Sequence, residues 1–69
     1  MRVVVNGEDR ALQAGATVAD VVRSLDLEPE ARGVAVALDG EVVIRGEWSS
    51  TVLCEGARVE VLGAIGGGR

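Results

Sequence analysis

The end of the chain has the most unusual composition in the sequence. Residues 61–69 read "VLGAIGGGR", in which Gly66, Gly67 and Gly68 are followed by Arg69. Such a glycine run is either a frayed terminus or cloning remnant, or the working part of a molecule whose other residues present it. It does not match a phosphate-binding loop, because that loop follows a strand and opens a helix, and these glycines open no helical segment.

Most side chains that carry out catalysis are absent. The sequence contains no His, Tyr, Phe or Lys, and its 7 basic residues are all Arg. Without His, the single cysteine, Cys54, has no partner that could activate it as a nucleophile, so we predict that it is a structural residue. No group of residues has the spacing of a zinc site. The sequence therefore predicts a protein that is not an enzyme by itself, with no catalytic residue and no bound metal or cofactor.

The charge balance narrows the choice of partners. The chain has 11 acidic and 7 basic residues, which give a net charge of −4. Nucleic acid is excluded as a partner, because binding a phosphate backbone requires clustered positive charge. Our preferred interpretation is that the negative charge keeps a small domain soluble. The alternative is docking on a basic protein surface.

Length and hydropathy predict a single cytoplasmic domain that has no contact with a membrane. A chain of 69 residues is one domain at most. No apolar stretch approaches the roughly 20 residues of a membrane-spanning helix, and the opening "MRVVVNGEDR" does not resemble a signal peptide. A single cysteine also fits a reducing compartment better than a secreted scaffold.

Short strands joined by tight turns account for most of the chain. The predicted strands are residues 2–5, 8–13, 34–38, 41–45 and 58–63. The first is apolar on both faces and suits a central strand, whereas the second alternates poorly and suits an edge. Asn6-Gly7 and Asp39-Gly40 provide the positive φ angles of hairpin turns. We expect Trp48 to cover an edge of the core, in an irregular segment with room for one short helical turn.

One amphipathic helix is predicted between the two hairpins. Its apolar stripe has helical spacing and consists of Val18, Val21, Val22 and Leu25. Thr17 is the expected N-cap, with its hydroxyl accepting a hydrogen bond from the backbone N–H of Asp20. Because Pro29 cannot continue a helix, we expect the helix to end near Asp26 or Leu27. The stripe should pack on strand residues Val3 or Val5, Val36 and Val61.

The order strand, strand, helix, strand, strand, strand predicts an α+β protein in which one helix packs across one face of a mixed sheet. If the first and last strands are neighbours at the centre of that sheet, they run parallel. This arrangement is the β-grasp, or ubiquitin-like, architecture. We expect it to occupy residues 1–65, with a flexible glycine-rich tail over residues 66–69.

Four stretches of the sequence resemble the ThiS family, the sulfur carriers of the thiamine pathway. They are "VVVNGE", "GATVADVV", "GVAVALDGEVVIRGEW" and "GARVEVLGAIGGG", and together they cover essentially the whole chain. The middle and terminal stretches are the most specific. Related carriers, such as the small subunit of molybdopterin synthase, share the fold and the glycine tail but are usually longer.

The resemblance implies both a chemistry and a set of partners. In such carriers a ThiF-like enzyme adenylates the terminal glycine carboxylate with ATP, and a persulfide donor then supplies sulfur. The thiocarboxylate passes its sulfur to a ThiG-like thiazole synthase. The implied sulfur-carrying residue is Gly68, with Gly66 and Gly67 threaded into the partner. We expect Ala64 and Ile65 to contact partners, with completion of the core as an equal alternative for Ile65. We expect the free chain to be a monomer.

Arg69 departs from the family pattern, which ends with glycine. This residue is trimmed in the cell, is a cloning remnant, or indicates that the chain end is used differently. Three classes of function therefore stay open: a sulfur carrier for thiamine or for another pathway such as molybdopterin, a ubiquitin-like modifier of other proteins, and a β-grasp interaction module with an inert tail.

Overall fold

The computed structural model of the protein describes residues 1–25 and 33–63. In chain order, the elements are β1 (Arg2–Val5), β2 (Glu8–Ala11), α1 (Val18–Ser24), β3 (Val34–Leu38), β4 (Glu41–Val43), a 3₁₀-helix (Arg45–Ser50) and β5 (Arg58–Gly63). The strands form one mixed sheet in the order β2-β1-β5-β3-β4, and α1 packs across one of its faces. The predicted α+β class and the predicted order of strands and helix are confirmed.

β1 and β5 are parallel neighbours at the centre of the sheet. Val5 lies opposite Val59 in their ladder, and each strand has a second, antiparallel neighbour on its other side. The predicted parallel pairing of the first and last strands is therefore confirmed. β2 lies at the edge, also as predicted, but it ends at Ala11 instead of residue 13, because its ladder partner β1 begins at Arg2, opposite Ala11.

The two hairpin turns adopt the left-handed backbone that their sequences predicted. The φ angles are +52° at Asn6 and +83° at Gly7, and +50° at Asp39 and +87° at Gly40. Asn and Asp tolerate this region better than most residues, and Gly has no Cβ to oppose it. Turns of this kind match the right-handed twist of the strands that they join, so each dipeptide sets the register of its hairpin.

The start of α1 is stabilised by a reciprocal pair of hydrogen bonds. The Thr17 hydroxyl accepts from the backbone N–H of Asp20 at 3.3 Å, and the Asp20 carboxylate accepts from the backbone N–H of Thr17 at 2.9 Å. The predicted N-cap is thus confirmed, and it forms a complete capping box. Both bonds satisfy N–H groups that have no partner within the helix.

We expect the substitution Thr17→Ala to lower the free energy of unfolding by about 1 kcal/mol, because it removes the hydroxyl acceptor of the cap. The control is Thr17→Ser, which keeps a hydroxyl at the same place. Urea unfolding followed by circular dichroism measures both variants. Equal stability of the Ala and Ser variants would show that the cap contributes nothing.

α1 is shorter than the sequence predicted. It ends at Ser24, before the expected end at Asp26 or Leu27, because the backbone N–H of Leu25 bonds the carbonyl of Val22, three residues back, at 3.2 Å. A bond of this spacing tightens and closes the last turn. Asp26 and Leu27 themselves belong to residues 26–32, which lie outside the described part of the chain.

The hydrophobic core lies between α1 and the sheet. Its buried members are Val3, Val5, Val18, Ala19, Val21, Val22, Val36, Trp48, Leu53, Ala57, Val59 and Val61. The predicted packing of the helix stripe on Val3, Val5, Val36 and Val61 is confirmed for the three valines of the stripe. Leu25, the fourth member, is only half-buried at the end of the helix.

The 3₁₀-helix closes one edge of the core and is the short helical turn that was expected. Trp48 is buried, its indole N–H donates to the carbonyl of Val43 at 2.9 Å, and the guanidinium of Arg45 lies 4.9 Å from the ring centroid. The prediction that Trp48 covers the core edge is confirmed. Cys54 is exposed to solvent, so the prediction that it is a structural residue is wrong as far as packing is concerned.

Candidate functional site

β5 is the strand that leads to the glycine tail. It lies between β1 and β3, its inward side chains are buried, and it ends at Gly63. The site residues predicted from the sequence all follow it and lie outside the described residues: Ala64, Ile65, Gly66, Gly67 and Gly68. The same holds for Arg69. The described structure therefore contains the strand that precedes the predicted reactive end, and this strand is paired on both sides.

The two hairpin turns both hydrogen-bond the backbone of β5. The Asn6 carboxamide accepts from the Val61 N–H at 2.8 Å and donates to the Val61 carbonyl at 3.3 Å. At the other turn, the Asp39 carboxylate accepts from the Arg58 N–H at 2.9 Å, and the backbone N–H of Asp39 donates to the Arg58 carbonyl at 2.8 Å. A side chain of each turn therefore holds one end of β5.

The face of the sheet opposite α1 is apolar where β5 ends. We call this surface the outer face and define it by four residues: Ala35 and Ala37 of β3, Val42 of β4 and Leu62 of β5. Val42 and Leu62 are 78% and 72% exposed. The four residues, together with Asn6 and Glu60, line an open depression of about 440 Å³. Exposed apolar side chains grouped in this way indicate a contact surface for another protein.

The depression carries no arrangement that could perform a reaction. Its one titratable lining residue is Glu60, and within the described residues no group of three or more His, Cys, Asp or Glu side chains could hold a metal ion. In the same part of the chain, no helix has the length and apolarity needed to cross a membrane. The geometry fits binding to a protein, with an acidic group at the rim of an apolar surface.

Sequence reasoning did not find the outer face or the role of Asn6. The alternating pattern of "RVEVLG" does indicate the outer face, because it places Leu62 on the side of the strand opposite Val59 and Val61. Val42 and Ile44 are also exposed, at 78% and 62%. No local pattern relates Asn6 to Val61, because their contact spans 55 residues of sequence.

The fold is similar to that of two solved structures. The crystal structure of the thiamine biosynthesis protein ThiS from Geobacter metallireducens has a TM-score of 0.77 and 31% sequence identity, over 99% of this chain and 100% of that one. An NMR structure of a thiamine biosynthesis protein from the same organism has the same two values, over 100% of this chain and 90% of that one. The model of the ThiS family matches residues 3–68. The chain belongs to the ThiS family.

Family membership confirms the resemblance seen in the sequence, and the predicted β-grasp fold is confirmed by the structural similarity. ThiS-family proteins are small sulfur carriers of thiamine biosynthesis.

Two curated relatives are thiazole synthases. The thiazole synthase of Magnetococcus marinus is 38% identical over 69 residues, and that of Paramagnetospirillum magneticum is 32% identical over 68 residues. The chain spans about a fifth of the length of these relatives, 21% and 20% respectively. In both, a ThiS-like segment is therefore part of a longer polypeptide.

Proposed function

We propose that this ThiS protein carries sulfur as a thiocarboxylate on Gly68 and donates it to a thiazole synthase in the cytoplasm. The observation that carries the proposal is the extent of the family match, which runs to residue 68 and leaves Arg69 outside. Gly66 and Gly67 thread into a narrow partner site, because glycine has no Cβ that would clash with its walls. The free carrier is a monomer.

Activation of the carrier uses ATP bound by a ThiF-like enzyme. In the chain that ends at Gly68, without Arg69, a carboxylate oxygen of Gly68 attacks the α-phosphorus of ATP, a P–O bond forms, and pyrophosphate leaves. The product is an acyl-adenylate, in which AMP is a good leaving group. Charge that develops on the phosphates is stabilised by the enzyme, since the carrier offers no cationic cluster for this purpose among its described residues.

Sulfur then replaces the adenylate. The terminal sulfur of a persulfide donor attacks the acyl carbon, a C–S bond forms, and AMP leaves. A thiol then attacks the remaining S–S bond, so that one sulfur stays on Gly68 as the thiocarboxylate and the thiol ends as a mixed disulfide. The carrier needs no general base in these steps, which agrees with a sequence that contains no His or Lys.

The outer face is the surface that docks on the ThiF-like enzyme. Leu62 of the outer face directly precedes Gly63, the last residue of β5, so an enzyme that covers Leu62 also receives the tail. The exposed carboxylate of Glu60 at the rim favours basic residues on the enzyme. Ala64 and Ile65 extend this contact toward the glycines.

Thiazole synthase is the proposed acceptor of the sulfur. The proposal is supported by the two thiazole synthases that contain a ThiS-like segment, since joining two proteins in one polypeptide raises the effective concentration of one for the other. In this proposal, a thiazole synthase takes the thiocarboxylate end of the carrier.

We expect Leu62→Asp to weaken binding to the ThiF-like enzyme by about tenfold or more, because it places a charge in the apolar contact. The matched control is Val52→Asp, since Val52 is also exposed, at 57%, and pairs with Thr17 before α1, away from the outer face. Calorimetric titration measures both. Equal weakening by the two variants would contradict docking through the outer face.

Intact mass of the chain after incubation with cell lysate separates the three classes of function. In the form that ends at Gly68, a sulfur carrier gains the mass difference between sulfur and oxygen, a modifier is recovered as covalent conjugates, and an interaction module is unchanged. Adding ATP and cysteine should increase the thiocarboxylate signal. Conjugates without a thiocarboxylate would instead support the modifier, and an unchanged mass with every ThiF-like enzyme tested would support the module.

A further inference from the structure

The parallel pairing of β1 and β5 extends one position beyond the end of β1. The backbone N–H of Asn6 still donates to the Val59 carbonyl, at 2.9 Å, and then the chain turns away at a φ of +52°. If the parallel ladder continued, the next backbone carbonyl on the β1 side would accept from the N–H of Val61, and the next backbone N–H on that side would donate to the carbonyl of Val61. The Asn6 side chain takes over both functions, at 2.8 and 3.3 Å.

The turn alone does not require an amide at this position. Asp39 occupies the equivalent place in the second hairpin, with a nearly identical φ of +50°. There the carboxylate only accepts, from the Arg58 N–H, and the backbone of Asp39 supplies the donor. At Val61 both groups must be paired by one side chain, and a carboxamide is the side chain of this size that both donates and accepts.

The position of the contact connects it to the tail. Val61 is the last buried residue of β5, and Leu62 of the outer face and then Gly63 follow it. Asn6 also lines the depression beside Leu62 and Glu60. Past Val61, β1 offers no further residue, so Leu62 and Gly63 pair only with Ala35 and Val34 of β3. Asn6 therefore forms the last bond that holds β5 from the β1 side.

We propose that Asn6 is a positioning residue, which fixes the direction in which β5 ends, at Leu62 and Gly63, relative to the rest of the outer face. This inference rests on the proposed function, in which one enzyme takes both the outer face and the tail. Val61 is held by β3 on one side and by Asn6 on the other. The end of β5 and the outer face therefore keep a fixed relative orientation before binding, so less conformational freedom is lost on association. Without the amide, the end of β5 is free to swing about its pairing with β3.

The test compares Asn6→Gly with Asp39→Gly as a matched control. Both residues have positive φ, so glycine causes no backbone strain at either site. Asn6→Gly removes the two hydrogen bonds to Val61, and Asp39→Gly removes the one to the Arg58 N–H. ATP–pyrophosphate exchange with a ThiF-like enzyme gives KM and kcat for the carrier. The assay uses whichever form of the chain reacts, the one ending at Gly68 or the one ending at Arg69. We expect Asn6→Gly to raise KM about threefold to tenfold with kcat unchanged, and Asp39→Gly to leave both unchanged.

A third variant removes the hydrogen bond that Asn6 donates and keeps the one that it accepts. Asn6→Asp keeps the turn and the acceptor for the Val61 N–H, but places a charged oxygen against the Val61 carbonyl, so we expect KM to rise at least as much as in Asn6→Gly. Amide hydrogen exchange on the full chain should show faster exchange at Val61 in Asn6→Gly, and at Arg58 in Asp39→Gly.

Two results would overturn the inference. If Asn6→Gly and Asp39→Gly raise KM equally, Asn6 acts only through general stability; if neither changes KM, the direction in which β5 ends is not set by Asn6. If the unsubstituted chain is not adenylated in either form, the proposed function itself fails, and the inference about Asn6 falls with it.

Discussion

A chain that ends at Gly68 is expected to be adenylated by a ThiF-like enzyme, whereas the chain that ends at Arg69 is expected to be almost inert. The carboxylate must reach the α-phosphorus of ATP through a site that accepts glycine, and an arginine side chain does not fit there. The extra residue also displaces the carboxylate, and a misplacement of about 1 Å can cost on the order of 10²-fold in rate. Pyrophosphate exchange and intact mass measure the difference.

Gly67→Ala in the chain that ends at Gly68 should be slow for the same reason, since it adds a Cβ inside the site. Its matched control is Gly46→Ala. Gly46 lies in the 3₁₀-helix, and a Cβ added there meets no atom within 4 Å, so this variant should react like the unsubstituted chain. Any general effect of a glycine-to-alanine change is thereby separated from an effect of threading.

Equal rates for the chain ending at Arg69 and the trimmed chain would show that the enzyme site does not exclude an arginine side chain. In that case the site is wide enough for a side chain, and Arg69 does not need to be removed. If the trimmed chain gains no sulfur with a persulfide donor after it has been adenylated, the activation step is correct and the carrier function is not.

The largest expected loss of stability comes from the helix stripe. Val22→Ala should lower the free energy of unfolding by about 2–3 kcal/mol, because it removes two methyl groups from a side chain with 0% exposure and leaves a cavity. A domain of this size has a total stability of roughly 3–10 kcal/mol, so the variant is expected to unfold at much lower urea concentration.

Val52→Ala is the matched control for Val22→Ala, because it makes the same chemical change at an exposed valine and should cost less than about 0.5 kcal/mol. Urea unfolding can be followed through the fluorescence of Trp48, the single tryptophan, which is buried in the native core. Equal losses in the two variants would show that the stripe is not what packs α1 on the sheet.

Most features that depend on residues close together in sequence were predicted correctly, although α1 ends at Ser24, earlier than predicted. The turns at Asn6-Gly7 and Asp39-Gly40 follow from the φ preferences of Asn, Asp and Gly. The start of α1 follows from Thr17 and from Asp20 three positions later. Period-two and helical spacings identify the buried valines in the same way, because each spacing states which side chains share a face.

Features that depend on distant residues had to be found in the structure. The early end of β2 reflects where its partner β1 begins. Cys54 is exposed, although nothing in its own neighbourhood in the sequence predicts this. The outer face needs residues of three strands, β3, β4 and β5, to lie side by side, which is a result of strand order and register.

The same distinction applies to the candidate site, part of which was visible in the sequence and part of which only the structure showed. The glycines at 66–68 are visible in the sequence because their composition is unusual, and the match to the ThiS family covers them. The strand that presents them, and the Asn6 amide that bonds its end, come from contacts across 55 residues of sequence. A local pattern cannot specify such a contact, because the hydrogen-bond partner of a side chain is chosen by which backbone groups the fold leaves unpaired within its reach.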